Sequence, residues 1–104
     1  MTRALATATL AAAAALSTAP AFAQLELAQS KNCLTCHSVD KKVVGPAYKD
    51  VAAKYAGDKG AADRLAQKIL KGGSGVWGAV PMPANTQVSE AEAKKLAAWV
   101  LSLK

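Results

Sequence analysis

Apolar residues recur along most of this chain at helical spacing, and nowhere do they alternate over a sustained stretch, so the pattern predicts helices and no strands. Leu25 to about His37 opens with helix formers (LELAQSK), contains no Gly or Pro, and sets Leu27, Ala28 and Leu34 on one face. Val43-Val44-Gly45-Pro46 interrupts that pattern. Pro46 suits the first turn of a second helix, Ala47 to Tyr55. Within it Tyr48, Val51, Ala52 and Tyr55 fall at i, i+3, i+4 and i+7, and Gly57 marks the stop. A third helix is predicted over Ala61 to Lys71, with Leu65, Ile69 and Leu70 inward and Gly72-Gly73 as terminator. Gly72 to Asn85 (GGSGVWGAVPMPAN) holds four glycines and two prolines and reads as loop. Ser89 with Glu92 three residues on has the form of a capping box. Leu96, Val100 and Leu103 repeat behind it, flanked by Ala93, Ala97 and Trp99. The fold class is all-α, with about four helices.

A segment of another kind precedes these helices. Met1 to Arg3 carry one positive side chain, Ala4 to Leu16 are uncharged throughout, Pro20 breaks the run, and Ala21-Phe22-Ala23 follows. A charged head, an apolar run and a small-x-small site in this order describe a secretory signal peptide, cleaved after Ala23. An uncleaved membrane anchor fits less well, because the run falls short of the ~20 strongly apolar residues a spanning helix needs. The expected domains are therefore a signal peptide at 1–23 and one folded domain at 24–104, exported to the periplasm.

Composition sharpens this picture. The 104 residues suffice for one domain, and apolar residues make up 52% of them, but alanine supplies much of that share. Beyond Phe22 the aromatic residues are Tyr48, Tyr55, Trp77 and Trp99. A domain so small and so poor in large side chains needs something else to fill its interior. Two cysteines allow at most one bridge, which excludes a disulfide-dense scaffold. The formal net charge of +6 is too modest, and the apolar content too high, for disorder.

Cys33-Leu34-Thr35-Cys36-His37 carries the chemistry. Two thiols three positions apart with an imidazole directly after them form the attachment pattern of a c-type haem. The thiols can add to the two vinyl groups on one porphyrin edge, and the adjacent His37 then turns Nε2 toward the iron. Three other readings compete. A thioredoxin-like redox pair wants strands, which the pattern lacks. Structural zinc wants a fourth ligand, and the chain holds no further Cys or His. A plain Cys33–Cys36 disulfide leaves His37 without a role. Haem c, one per chain and covalent through Cys33 and Cys36, accounts for all three residues.

The other axial position could be filled by Met82, a lysine or water. Met82 is the sole methionine after the leader, and Pro81 and Pro83 flank it. Those prolines restrict the backbone and lessen the entropy lost in holding one sulfur at the iron, so Met82 is the expected ligand. With His37 and Met82 both bound, no coordination position is open, and the function is one-electron transfer rather than catalysis. Without Met82 the chain would instead be a five-coordinate haem sensor or a peroxidase-like enzyme.

Several separated blocks resemble the small bacterial class I cytochromes c, the cytochrome c-551 group above all. They are the Cys33–His37 motif, Val44-Gly45-Pro46-Ala47-Tyr48-Lys49-Asp50-Val51-Ala52, Gly75-Val76-Trp77-Gly78, Pro81-Met82-Pro83-Ala84-Asn85 and Ala98-Trp99-Val100-Leu101-Ser102. The resemblance implies a class I cytochrome c fold with its helices wrapped around one haem, and a carrier in denitrifying or related respiratory chains. It implies that Pro46 offers its carbonyl to Nδ1–H of His37 and that Trp77 directs its indole N–H at a haem propionate. Lys68 stands where the family often has an arginine for the same contact, and Asn85 would donate toward the Met82 sulfur or its loop. Many members carry an aromatic residue five positions before the first haem cysteine. Here that residue is Ala28, with Trp99 on the last helix as the candidate to fill the space.

Lys31, Lys41, Lys42, Lys49 and Lys54 cluster near the attachment motif. They suggest a basic rim that steers acidic redox partners while leaving affinity low. The resemblance supplies examples of such partners: a quinol-oxidising complex as donor, and nitrite reductase or a terminal oxidase as acceptor. Nucleic acid is not expected, since no aromatic residues interleave the basic ones, and the chain is expected to be a monomer that is not membrane-embedded.

Overall fold

The computed structural model describes residues 21–104, so most of the signal segment lies outside the described residues. Four α-helices follow in chain order: α1 (Ala21–Ser30), α2 (Tyr48–Lys54), α3 (Ala61–Lys71) and α4 (Glu90–Ser102). A short 3-10 turn, Cys33–Thr35, lies between α1 and α2. Among the described residues there is no strand, and no helix is long and apolar enough to cross a membrane.

The first predicted helix is divided. α1 ends at Ser30, and Asn32 takes a left-handed conformation (φ 65°) that turns the chain before Cys33. Asparagine tolerates that region better than most residues, which is the physical reason the helix stops short of the cysteines. Even so, Leu27, Ala28 and Leu34 all reach the core, with Ala28 fully buried.

α2 is short, and its start is tied down from outside. The N–H groups of Tyr48 and Lys49, which a helix start leaves without intrahelical partners, donate to the carbonyls of Ser38 (2.9 Å) and Val39 (3.1 Å). The segment just after His37 thus caps α2 and fixes Tyr48 beside the Cys33–His37 motif. α3 spans the predicted residues and stops where Gly72 turns to φ 75°.

α4 is the element against which α1, α2 and α3 all pack. Its inward residues Ala93, Leu96, Ala97, Trp99 and Val100 are buried. Trp99 and Ala28 belong to the same buried core cluster. A polar knot ties the chain just before Cys33 to the approach of α4. Lys31 Nζ donates to the Gln87 carbonyl (3.0 Å) and pairs with Glu92 (3.4 Å), while Gln87 Nε2 donates back to the Lys31 carbonyl (2.9 Å).

The capping box at α4 is complete. The Glu92 N–H donates to Ser89 Oγ (3.1 Å) and the Ser89 N–H donates to the Glu92 carboxylate (3.0 Å). The Ser89 N–H, above all, holds the Glu92 carboxyl below its ordinary value of 4.5. A carboxyl whose value is lower in the folded state contributes stability above 4.5 and loses it as pH falls through the lowered value. Glu92→Gln keeps an oxygen acceptor but does not titrate. Its stability is therefore expected to fall less steeply below pH 4.5 than that of the native chain, as measured by denaturant unfolding across that range.

Candidate haem site

One apolar cavity of about 440 Å³ opens between α2, α3, α4 and the Gly72–Asn85 loop. That is within the size range of cofactor pockets. Cys33, Cys36, His37, Pro46, Lys68, Trp77 and Met82 all line it. Residues from both ends of the sequence motif set therefore converge on one space, and Asn85 alone of the predicted set stands behind the lining.

The attachment side is organised by backbone hydrogen bonds. The N–H groups of Val44 and Gly45 both donate to the Cys36 carbonyl, at 3.1 and 2.7 Å, and fold the Val-Gly-Pro segment back over His37. This brings the Pro46 carbonyl 2.8 Å from His37 Nδ1. A carbonyl only accepts, so Nδ1 carries the proton and Nε2 is left with its lone pair for a metal. Gly45 is required by space: a Cβ there would lie 2.4 Å from His37 Cε1. Cys33 is half-buried, and burial raises its thiol above the ordinary value, against the lowering effect of the Tyr48 hydroxyl. Burial, followed by the charge of Cys33, raises the Tyr48 phenol in turn.

The methionine side is held by α3. Gly73 and Met82 exchange backbone hydrogen bonds in both directions, at 3.0 and 2.8 Å. Asn85 adds two bonds to one acceptor, its backbone N–H (3.2 Å) and its Nδ2 (2.8 Å) both donating to the Ile69 carbonyl. Its Nδ2 also lies 3.5 Å from the Pro83 carbonyl, within the Met82 loop. Gln87 Nε2 donates to Asn85 Oδ1 at 3.2 Å, which links this loop to the Lys31 knot and so to the chain entering the cysteine motif. Sequence reasoning missed Gln87, whose polar side chain in a loop carries no distinguishing signal.

Lys68 runs alongside Gly73, where a Cβ would lie 2.7 Å from its Nζ. Trp77 is 42% exposed at the cavity mouth, with Lys54 Nζ 5.4 Å from its ring centroid. Of the lysines expected to form a basic rim, two are engaged elsewhere: Lys31 with Glu92, and Lys49 with Asp40 at 2.6 Å. Lys41, Lys42, Lys54 and Lys68 are exposed, with Lys42 and Lys68 lining the cavity and Lys54 beside Trp77.

These residues fit a haem. Two thiols, a tautomer-fixed imidazole and a thioether line a cavity whose walls are otherwise largely apolar. The family model for cytochrome c matches residues 25–104. The chain belongs to the cytochrome c family. It is 61% identical over 83 residues to cytochrome c-552 of Hydrogenobacter thermophilus, covering 80% of this chain and 84% of that protein. It is 56% identical over 96 residues to cytochrome c-552 of Nitrosomonas europaea, covering 92% and 93%. The crystal structure of the wild-type Nitrosomonas europaea cytochrome c552 superposes with a TM-score of 0.75 at 59% identity, covering 77% of this chain and 99% of that one. The cytochrome c fold is thus that of class I, and the Cys33–Cys36 pair belongs to one covalently attached haem c.

The loop that carries Met82 depends on Gly72 more than on the other glycine that ends a helix. At Gly72 (φ 75°) a Cβ would lie 2.4 Å from the Met82 carbonyl oxygen, whereas at Gly57 (φ 79°) it would meet open space. Gly57→Ala carries only the left-handed cost of about 1–2 kcal/mol. Gly72→Ala adds a backbone clash and is expected to cost on the order of 2 kcal/mol more, as read from denaturant unfolding of the two haem-loaded variants.

Proposed function

We propose that this cytochrome c is an exported one-electron carrier with His37 and Met82 as the axial ligands of its haem. The observation that supports this most is that both side chains, together with both cysteines, line the same cavity although 45 positions separate the histidine from the methionine. The haem supplies exchange between ferric and ferrous iron. The chain's own residues do the rest. His37 keeps one tautomer through Pro46, which leaves the Nε2 lone pair for the metal. Apolar walls from Val51, Leu65, Ile69, Leu96 and Val100 exclude water and favour the less charged ferrous state. With both axial positions taken, no site is left for a substrate, and the protein is a carrier rather than an enzyme.

Trp77 at the mouth presents a donor-only indole suited to a haem propionate, and Lys68 a point charge for the same group. Asn85 acts on Met82 through the loop, by anchoring it to Ile69. The leader is cut after Ala23, and the domain works in the periplasm of a respiratory chain, between partners such as a quinol-oxidising complex and a reductase or oxidase. Phe22 and Ala23 are both exposed, so cutting there takes nothing from the core.

Met82→Ala tests the reading. The native ferrous protein is expected not to bind CO, and the variant to bind it and to lose the near-infrared methionine–iron band of the ferric form. A variant with unchanged ligand reactivity rejects the axial assignment. The exposed Lys41, Lys42, Lys54 and Lys68 lead to a second expectation. Reaction rates with an acidic redox partner should fall severalfold as ionic strength rises from low to physiological, over which the screening length shrinks from about 30 to 8 Å. Stopped-flow rates that do not respond to salt exclude steering by these lysines.

A further inference from the structure

Carriers of this kind need their axial ligands in place, and the hydrogen bond to Pro46 fixes only one atom of the His37 ring. Two further contacts act on the ring plane. A Cβ built on Gly45 would lie 2.4 Å from Cε1, 2.8 Å from Nδ1 and 3.0 Å from Nε2. Three ring atoms this close to one point place that carbon over the ring face rather than beyond its edge, so the Gly45 backbone covers the imidazole. The phenol ring of Tyr48 stacks on the same imidazole, with centroids 4.9 Å apart and planes 21° from parallel. Tyr48 is itself immobilised. Its backbone N–H donates to Ser38, its side chain is 7% exposed, and the Trp99 ring meets it edge-on at 5.5 Å and 76°. Trp99 is anchored in α4, the helix on which the other three pack, and its indole N–H is buried without a protein acceptor among the described residues. Among the described residues, its edge-on contact with Tyr48 is what relates it to the His37 ring.

We propose that Tyr48 is a positioning residue for electron transfer: stacked on His37 and held by Trp99, it fixes the imidazole plane about the axis to the iron, and Gly45 blocks rotation from the ring face it covers. This deepens the reading of His37 as an axial ligand and rests on it. Rotation of the imidazole about its Cβ–Cγ bond would swing the ring edges into the Gly45 backbone or the Tyr48 ring. Two aromatic faces in contact resist that motion at little entropic cost, since a phenol ring has few rotatable bonds to freeze. In a ferric low-spin haem the direction of the imidazole plane, together with the orientation of the second axial ligand, sets which pyrrole rings carry the unpaired spin, so with the methionine ligand unchanged a rotated imidazole plane alters the haem methyl proton shifts.

The test compares the haem-loaded ferric native protein with Tyr48→Phe and Tyr48→Leu by proton NMR, with the near-infrared methionine–iron band recorded on the same samples. Phenylalanine keeps the stacked ring, and the native order of methyl shifts is expected. Leucine removes the ring, and a changed order of methyl shifts with a displaced reduction potential is expected while the near-infrared band stays. A low-spin leucine variant with native methyl shifts overturns the proposal while leaving the ligand assignment intact. A native protein without low-spin ferric signals overturns the assignment itself. If the leucine variant fails to accumulate, the native protein decides. A clamped Tyr48 flips slowly and gives separate signals for the two edges of its ring on cooling, and a single averaged pair at every temperature overturns the clamp.

Discussion

The hydrogen bond from His37 Nδ1 to the Pro46 carbonyl is the interaction on which the rest of this structure turns. To make it, the chain must reverse direction between the cysteine motif and α2 within a few residues, and the reversal has its own supports. Val44 and Gly45 donate to the Cys36 carbonyl, and Ser38 and Val39 receive the first N–H groups of α2. A seven-residue helix is too short to stand on propensity. α2 exists because the haem-binding segment caps it, and Tyr48 reaches His37 because α2 starts there. Local structure and site are one arrangement.

The core explains why a prosthetic group is part of the fold and not an addition to it. Seven of the thirteen buried apolar residues are alanines, and no large side chain is completely buried. Helices packed through alanine approach closely on α4 but leave the opposite side of α2, α3 and α4 facing the cavity, where Val51, Leu96, Ala97 and Val100 form wall and core at once. Apolar area buried against a porphyrin contributes like any other, at roughly 25 cal/mol per Å². Valines 43, 44, 76 and 80 are exposed around the same region, which leaves an apolar margin between the lysines.

Much of this was legible in the residues themselves. Cys33, Cys36 and His37 need only spacing to be recognised, the Ser89–Glu92 box fixed the start of α4, and α3 lies where its apolar period and its terminal glycine put it. The end of α1 was not legible, because helix formers continue past Ser30 and the break is a left-handed backbone at Asn32. Contacts without a sequence period were hidden too. Gly45 and Gly72 look like ordinary breakers, yet each is demanded by an atom from elsewhere, the His37 ring and the Met82 carbonyl. The lysine cluster read as one rim, but Asp40 and Glu92 neutralise two of its members. Pairings across the fold decide such points, and one-dimensional patterns do not contain them.

The two sides of the site are built differently. His37 is held by a half-buried hydrogen bond, a glycine on its face and a buried aromatic pair leading into α4. Met82 sits in a stretch where most residues from Gly73 to Ala84 are exposed, and backbone hydrogen bonds to the end of α3 hold it there. Segments with few buried apolar contacts and exposed backbone hydrogen bonds open at lower free-energy cost than packed ones. The methionine side is therefore the one expected to open at the lower free-energy cost, with His37 still gripped. The knot of Lys31, Gln87 and Asn85 counters that tendency, because it fastens the loose side to the chain entering the cysteine motif on the rigid one.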